Sequence, residues 1–83
     1  MLSSSPVVDR RRPEYERLRT TLRQLRQERG LSQEQLAARL GVRQEWISRY
    51  EVGERRLDVV ELVELARALE VSLAEILRRA DIG

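Results

Sequence analysis

SQEQLAARLGVRQEWISRYEVGERRLD, residues 32–58, predicts two short helices joined by a minimal turn. Ser32 is placed to cap the first of them. Gln35, three residues on, completes a capping box in which each side chain answers the other residue's orphan backbone N–H. Leu36, Ala37 and Leu40 form the inward side of this helix. Gly41 supplies the left-handed residue that ends it, a conformation open to glycine without a Cβ clash. Val42 plugs the corner. The following helix runs from Gln44 to Glu51 with Ile47 and Tyr50 inward, and Gly53 closes it. Ala37 has to be small because this helix crosses close to it, and the pair is locked at a steep angle.

The flanks repeat the same grammar. Upstream, Pro13 suits a first helical residue, where a missing N–H costs nothing, and Glu14 and Glu16 favour the positive helix start. Leu18, Leu22 and Leu25 recur at helical spacing as far as Arg29 and Gly30. Downstream, Asp58 with Glu61 and Ser72 with Glu75 form two further boxes. They open helices carrying Leu62, Leu65, Ala66 and Leu69, then Leu73, Ile76 and Leu77. The expected fold is all-α, a compact five-helix bundle with helices at about 13–29, 33–40, 44–51, 59–69 and 73–80. Val59-Val60 is too short for a strand and sits at a helix start. Residues 1–12 have no apolar period and read as a flexible basic tail. Arg10, Arg11 and Arg12 have two equal readings there, a phosphate-reaching arm or a solvated run.

The chain has 83 residues, enough for one domain with a small core. It has no Cys and no His, which removes disulfides, the usual metal sites and the Ser–His or Cys–His nucleophiles, and fits a reducing cytoplasm. No metal, cofactor or catalytic residue is expected, and the chain is not read as an enzyme. No apolar stretch approaches a membrane span. All 16 basic residues are Arg, against 14 acids. Residues 1–56 carry 13 Arg and 8 acids, whereas residues 57–83 carry 3 Arg and 6 acids. The first portion, at +5, is a candidate anion-binding face, because binding responds to local potential. On the helix over 44–51 the side opposite Ile47 and Tyr50 is polar: Gln44, Glu45, Ser48 and Arg49. A rigid helix presenting Gln and Arg suits the major groove, where Gln pairs with adenine and Arg with guanine.

From Leu25 to Leu77 the chain resembles the Xre-like helix-turn-helix family of phage repressors and Cro-type regulators, of lambda-repressor-like fold. The resemblance rests on residues 32–58 and on LARALEVSLAEIL, residues 65–77. It implies a DNA-binding domain over 13–83 with its helix-turn-helix at 33–52. It implies base reading by Gln44, Glu45, Ser48 and Arg49, and phosphate contact by Gln33, Arg43, Arg55 and Arg56. It also implies a structural salt bridge between Arg26 and Glu51. Glu45 has two readings, accepting from cytosine N4 or pairing with Arg49 and aiming its guanidinium, of which the second is preferred. Trp46 is expected to pack along the helix edge. Three residues depart from the family pattern: Arg43 at a helix start where Ser or Thr is common, Leu57 where Pro is frequent, and Glu70 where Gly usually follows the fourth helix.

One such domain makes few base contacts, so the expected functional form is a homodimer on a near-palindromic double-stranded operator. Val60, Leu73, Ile76, Leu77 and Ile82 are the candidate subunit contact. The expected role is transcriptional regulation in the cytoplasm of a bacterium or in a phage infection, with RNA polymerase a possible protein partner. The alternative is an antitoxin that binds a protein toxin and regulates its own promoter through the same motif.

Overall fold

A computed structural model describes residues 12–83, and the tail read over residues 1–12 lies outside the described residues except for Arg12. Four of the five helices begin beside a residue suited to the task. α1 (Pro13–Glu28) starts on its proline, α2 (Gln33–Leu40) on Ser32, α4 (Val59–Ala68) on Asp58 and α5 (Leu73–Arg79) on Ser72. The capping boxes of α2 and α4 are complete. The third is half built. Ser72 Oγ accepts from the Glu75 N–H at 3.0 Å, but the Glu75 carboxylate turns to Arg78, at 3.1 and 2.7 Å, because a guanidinium one turn away is the stronger donor. α3 (Gln44–Glu51) follows Arg43, which makes no side-chain cap, a loss of about 1 kcal/mol against Ser or Thr. α1, α4 and α5 stop one residue short of the expected ends, with Arg29, Leu69 and Ala80 as C-caps.

All five helices contribute to one core. Leu22, Leu25, Leu36, Ile47, Tyr50, Leu65, Leu69 and Ile76 are enclosed. α2 packs against α3 and α4, α1 against α3 and α5, and α4 against α5. Ile76 therefore corrects the expected subunit contact. α5 is wedged on both α1 and α4, so the residue between them is sealed at 0% exposure and belongs to the core of its own chain. Leu73, Leu77 and Ile82 are half-buried, and Val60 is 67% exposed. No helix among the described residues is long and apolar enough to cross a membrane.

The ends of α4 and α5 engage three of the 16 arginines. Glu70 and Asp81 adopt left-handed φ of 60° and 57°, which costs an L-residue about 1–2 kcal/mol. Glu70 takes the conformation usual for glycine at this place, and α4 closes in the ordinary way. The Val71 N–H still reaches Ala66 O at 3.0 Å, and the Glu70 N–H reaches Arg67 O at 3.1 Å. What compensates is a guanidinium from the residue that caps α1. Arg29 donates from Nε to Leu69 O and from Nη2 to Glu70 O, at 2.8 and 3.1 Å. Arg17 does the same at α5, to Ala80 O at 2.9 Å and Asp81 O at 3.2 Å. Arg39 adds a bond to Ala68 O at 2.9 Å. Charged donors on the last carbonyls of a helix also oppose its negative end.

Candidate nucleic-acid interface

α3 has two unlike sides because its inward residues, Ile47 and Tyr50, are fully enclosed. Gln44, Glu45 and Arg49 are exposed on the other side, Ser48 is half-exposed, and Arg43 stands exposed at the helix start.

A chain of hydrogen bonds runs from the interior to this face. Arg26 forks onto Glu51, Nε to Oε2 at 2.7 Å and Nη2 to Oε1 at 3.1 Å. The two side chains are only 10% and 3% exposed. The third arginine branch, Nη1, donates to Leu31 O at 2.8 Å. Gln33 Nε2 donates to Glu51 Oε1 at 2.9 Å, which fixes the direction of the Gln33 amide. Its oxygen then accepts from Gln44 Nε2 at 2.5 Å. Gln44 is exposed and keeps one amide N–H and its oxygen without a partner among the described residues, the donor–acceptor pair that an adenine edge matches. The Gln33 side chain is committed at both ends, so the free donors at the start of α2 are backbone N–H groups, which suit an anion.

The two loop arginines have different surroundings. Arg56 is exposed. Arg55 forks onto Glu61, from Nη1 to Oε1 at 2.9 Å and from Nη2 to Oε2 at 2.5 Å, and Nη1 also donates to Arg56 O at 2.7 Å. The hydrogen bonds of this pair hold the Glu61 carboxyl below the usual range and raise the guanidinium further. The Arg55 guanidinium lies 4.6 Å from the centroid of the Trp46 ring. Trp46 meets Tyr50 edge-on, with ring centroids 5.6 Å apart and an interplanar angle of 73°. It thus packs along the edge of α3. Among the described residues the Tyr50 oxygen is enclosed without a hydrogen-bond partner, and burial pushes the hydroxyl far above its ordinary range.

One expectation needs revision. Glu45 and Arg49 form no ion pair among the described residues. Together with Arg43, Trp46 and Arg55 they border an open groove of about 290 Å³. An exposed i,i+4 pair gains only about 0.2–0.5 kcal/mol, too little to fix two long side chains. Arg23 is a further exposed arginine that the sequence did not single out. It is exposed on α1, beside Thr20, Gln27, Glu51 and Val52, and makes no ion pair among the described residues. Its place one turn before Arg26, whose partner ends α3, was the available signal.

The comparisons agree with this fold. A family model described as helix-turn-helix matches residues 22–76. An uncharacterised HTH-type transcriptional regulator from Sinorhizobium fredii, y4dJ, is 46% identical over 57 residues, covering 69% of this chain and 74% of that protein. The restriction-modification controller protein C.AhdI from Aeromonas hydrophila is 32% identical, with a TM-score of 0.73 over 78% of this chain and 98% of that one. An XRE-family like protein from Pseudomonas syringae is 35% identical, with a TM-score of 0.76 over 82% and 83% of the two chains.

Proposed function

The chain belongs to the helix-turn-helix family of Xre/Cro-type transcriptional regulators, and from that premise we propose that it binds a near-palindromic double-stranded DNA operator as a homodimer. The observation that carries the reading is the hydrogen-bond chain from Arg26–Glu51 through Gln33 to Gln44. A side chain anchored in this way enters the groove already oriented, so little freedom is lost on binding.

In this reading α3 lies in the major groove. Gln44 reads adenine, Arg49 reads guanine, and Ser48 reads a neighbouring base edge. Glu45, without a pairing to Arg49, accepts from cytosine N4. The backbone N–H groups at Gln33 hold one phosphate, and Arg43, Arg56 and Arg23 hold others. Their guanidinium groups are exposed and free of ion pairs among the described residues, which supports that role. Val60, Leu73, Leu77 and Ile82 form the subunit contact, and it places the two recognition helices on half-sites about 34 Å apart. The lower charge of residues 57–83 suits a surface that faces protein rather than DNA.

Selection of bound sequences from a random DNA pool tests the whole proposal, because it returns the operator, its symmetry and its spacing. Arg49→Ala should weaken that operator by about 1–3 kcal/mol more than random DNA. Recovery of no preferred sequence, or sedimentation showing only monomer with and without the operator, would defeat it.

A further inference from the structure

We infer that Arg55 is a positioning residue, one that holds the recognition helix and the loop after it in place through Trp46 and Glu61 instead of touching phosphate. The inference rests on the DNA reading above.

The argument begins with how α3 and α4 are held. α3 packs against α2 and α1, whereas α4 packs against α2 and α5. The loop between α3 and α4 therefore needs its own fastening. Arg55 provides it in three directions. One face of its guanidinium covers the indole of Trp46 on α3. Its fork grips both oxygens of Glu61 in the first turn of α4. Its Nη1 also holds the backbone carbonyl of Arg56 at 2.7 Å. Glu61 is in turn anchored, since its Oε1 accepts from the Asp58 N–H at 2.9 Å. An unbroken series thus runs from Tyr50 in the core, through Trp46 and Arg55, to the start of α4.

The same contacts argue against a phosphate role. The Arg55 charge is already met by a carboxylate, and its side chain is only 32% exposed. Swinging it onto DNA would forfeit the fork and the indole contact together. It would also leave the Glu61 carboxylate uncompensated beside a polyanion. Arg56, exposed and mounted on the carbonyl that Arg55 holds, is the arm of the two.

The two roles predict opposite signs for one substitution. Glu61→Gln keeps an acceptor for the Asp58 N–H but removes the charge that holds Arg55. If Arg55 served phosphate, Glu61→Gln would release it and tighten DNA binding. If Arg55 positions α3, the same change loosens the operator complex. Arg55→Lys keeps the charge but not the planar fork, so it should behave as a loss under the positioning role.

The experiment measures operator and random-DNA affinity against salt for the full chain carrying Glu61→Gln, Arg55→Lys or Arg55→Ala. The emission of Trp46, the single tryptophan, is followed in the same samples without DNA. Each variant should lose about tenfold in operator affinity, the scale of a desolvated cation–π contact together with its ion pair. Each should also shift Trp46 emission to the red, while the salt slope stays that of the unsubstituted chain. A tighter complex for Glu61→Gln would overturn the inference. So would an unaltered operator affinity for Arg55→Lys, or a salt slope shallower by about 0.9 for Arg55→Ala, the mark of one lost phosphate contact. If Arg55→Ala fails to fold, the other two variants decide. Failure of the DNA reading itself is recognised separately, because the unsubstituted chain would then show no sequence preference.

Discussion

Arg26→Leu is expected to take the domain to the edge of unfolding. The substitution removes the fork onto Glu51 and the bond to Leu31 O. It leaves a carboxylate that is 3% exposed with Gln33 Nε2 as its remaining donor. Removing one partner of a buried pair costs about 3–5 kcal/mol. A chain of 83 residues has a total stability of about 4–12 kcal/mol. At about 4–8 °C per kcal/mol, the thermal midpoint should fall by at least about 12 °C. The double variant Arg26→Leu, Glu51→Leu removes both charges and should recover at least about 2 kcal/mol, since apolar replacement of a whole buried pair is often neutral. Urea titration followed by circular dichroism and by Trp46 emission gives both values. The recovered double variant should still bind its operator poorly, because Gln33 has lost the acceptor that orients Gln44. A single-variant loss below about 1 kcal/mol, or a double variant less stable than Arg26→Leu, would refute the reasoning.

Further outcomes are expected from local features. Gly41→Ala has free space around the added methyl but a φ of +72°, so its cost of about 1–2 kcal/mol is conformational, whereas Glu70→Gly, at φ 60°, should raise the urea midpoint. Burial first, and the Glu51 charge second, raise the Tyr50 hydroxyl above its ordinary 10.0, so the stability tied to its neutral form is intact below pH 10 and lost as pH climbs past it. With Tyr15→Phe, which leaves Tyr50 as the lone tyrosine, tyrosinate absorbance should appear only together with unfolding. The Glu61 carboxyl is lowered from 4.5 by its hydrogen bonds to Arg55, so its contribution is present above pH 4.5 and fades as pH falls through the folded value. Glu61→Gln should accordingly flatten the acid side of the thermal-midpoint profile.

The helices were legible in the sequence because their signals are local. Ser32 and Gln35, Asp58 and Glu61, and the leucine spacing of α1 and α4 each act within a turn or two. The arginines were not legible, because their partners are distant in sequence. Nothing near Arg17 or Arg29 announces Ala80 or Leu69 as an acceptor. Three of the 13 arginines before residue 57, Arg17, Arg29 and Arg39, therefore serve helix ends. Arg55 and Arg56 are identical neighbours with different surroundings. Glu61 was readable as a box partner, but its grip on Arg55 depends on the path of the loop. Ile76 was misplaced because a helix touching two neighbours buries a wider arc than one stripe suggests. At the candidate interface, the polar side of α3 was plain from Ile47 and Tyr50, while Arg23 needed the packing of α1 to be noticed.

The two carbonyls gripped by Arg17 belong to residues 80 and 81, and Arg79 closes a second fork onto Glu28, at 3.0 and 2.6 Å. During synthesis the first helix is made early but waits for the last of these residues before its arginine and glutamate find their partners. Leu22 and Leu25 wait equally for Ile76, with which they share the core. A nascent chain that has emerged only through α3 therefore carries the complete recognition sequence on a helix whose support, α1, is still unbacked. Competence to read DNA is expected to arrive late and at once, when α5 docks, rather than to build up as each helix appears.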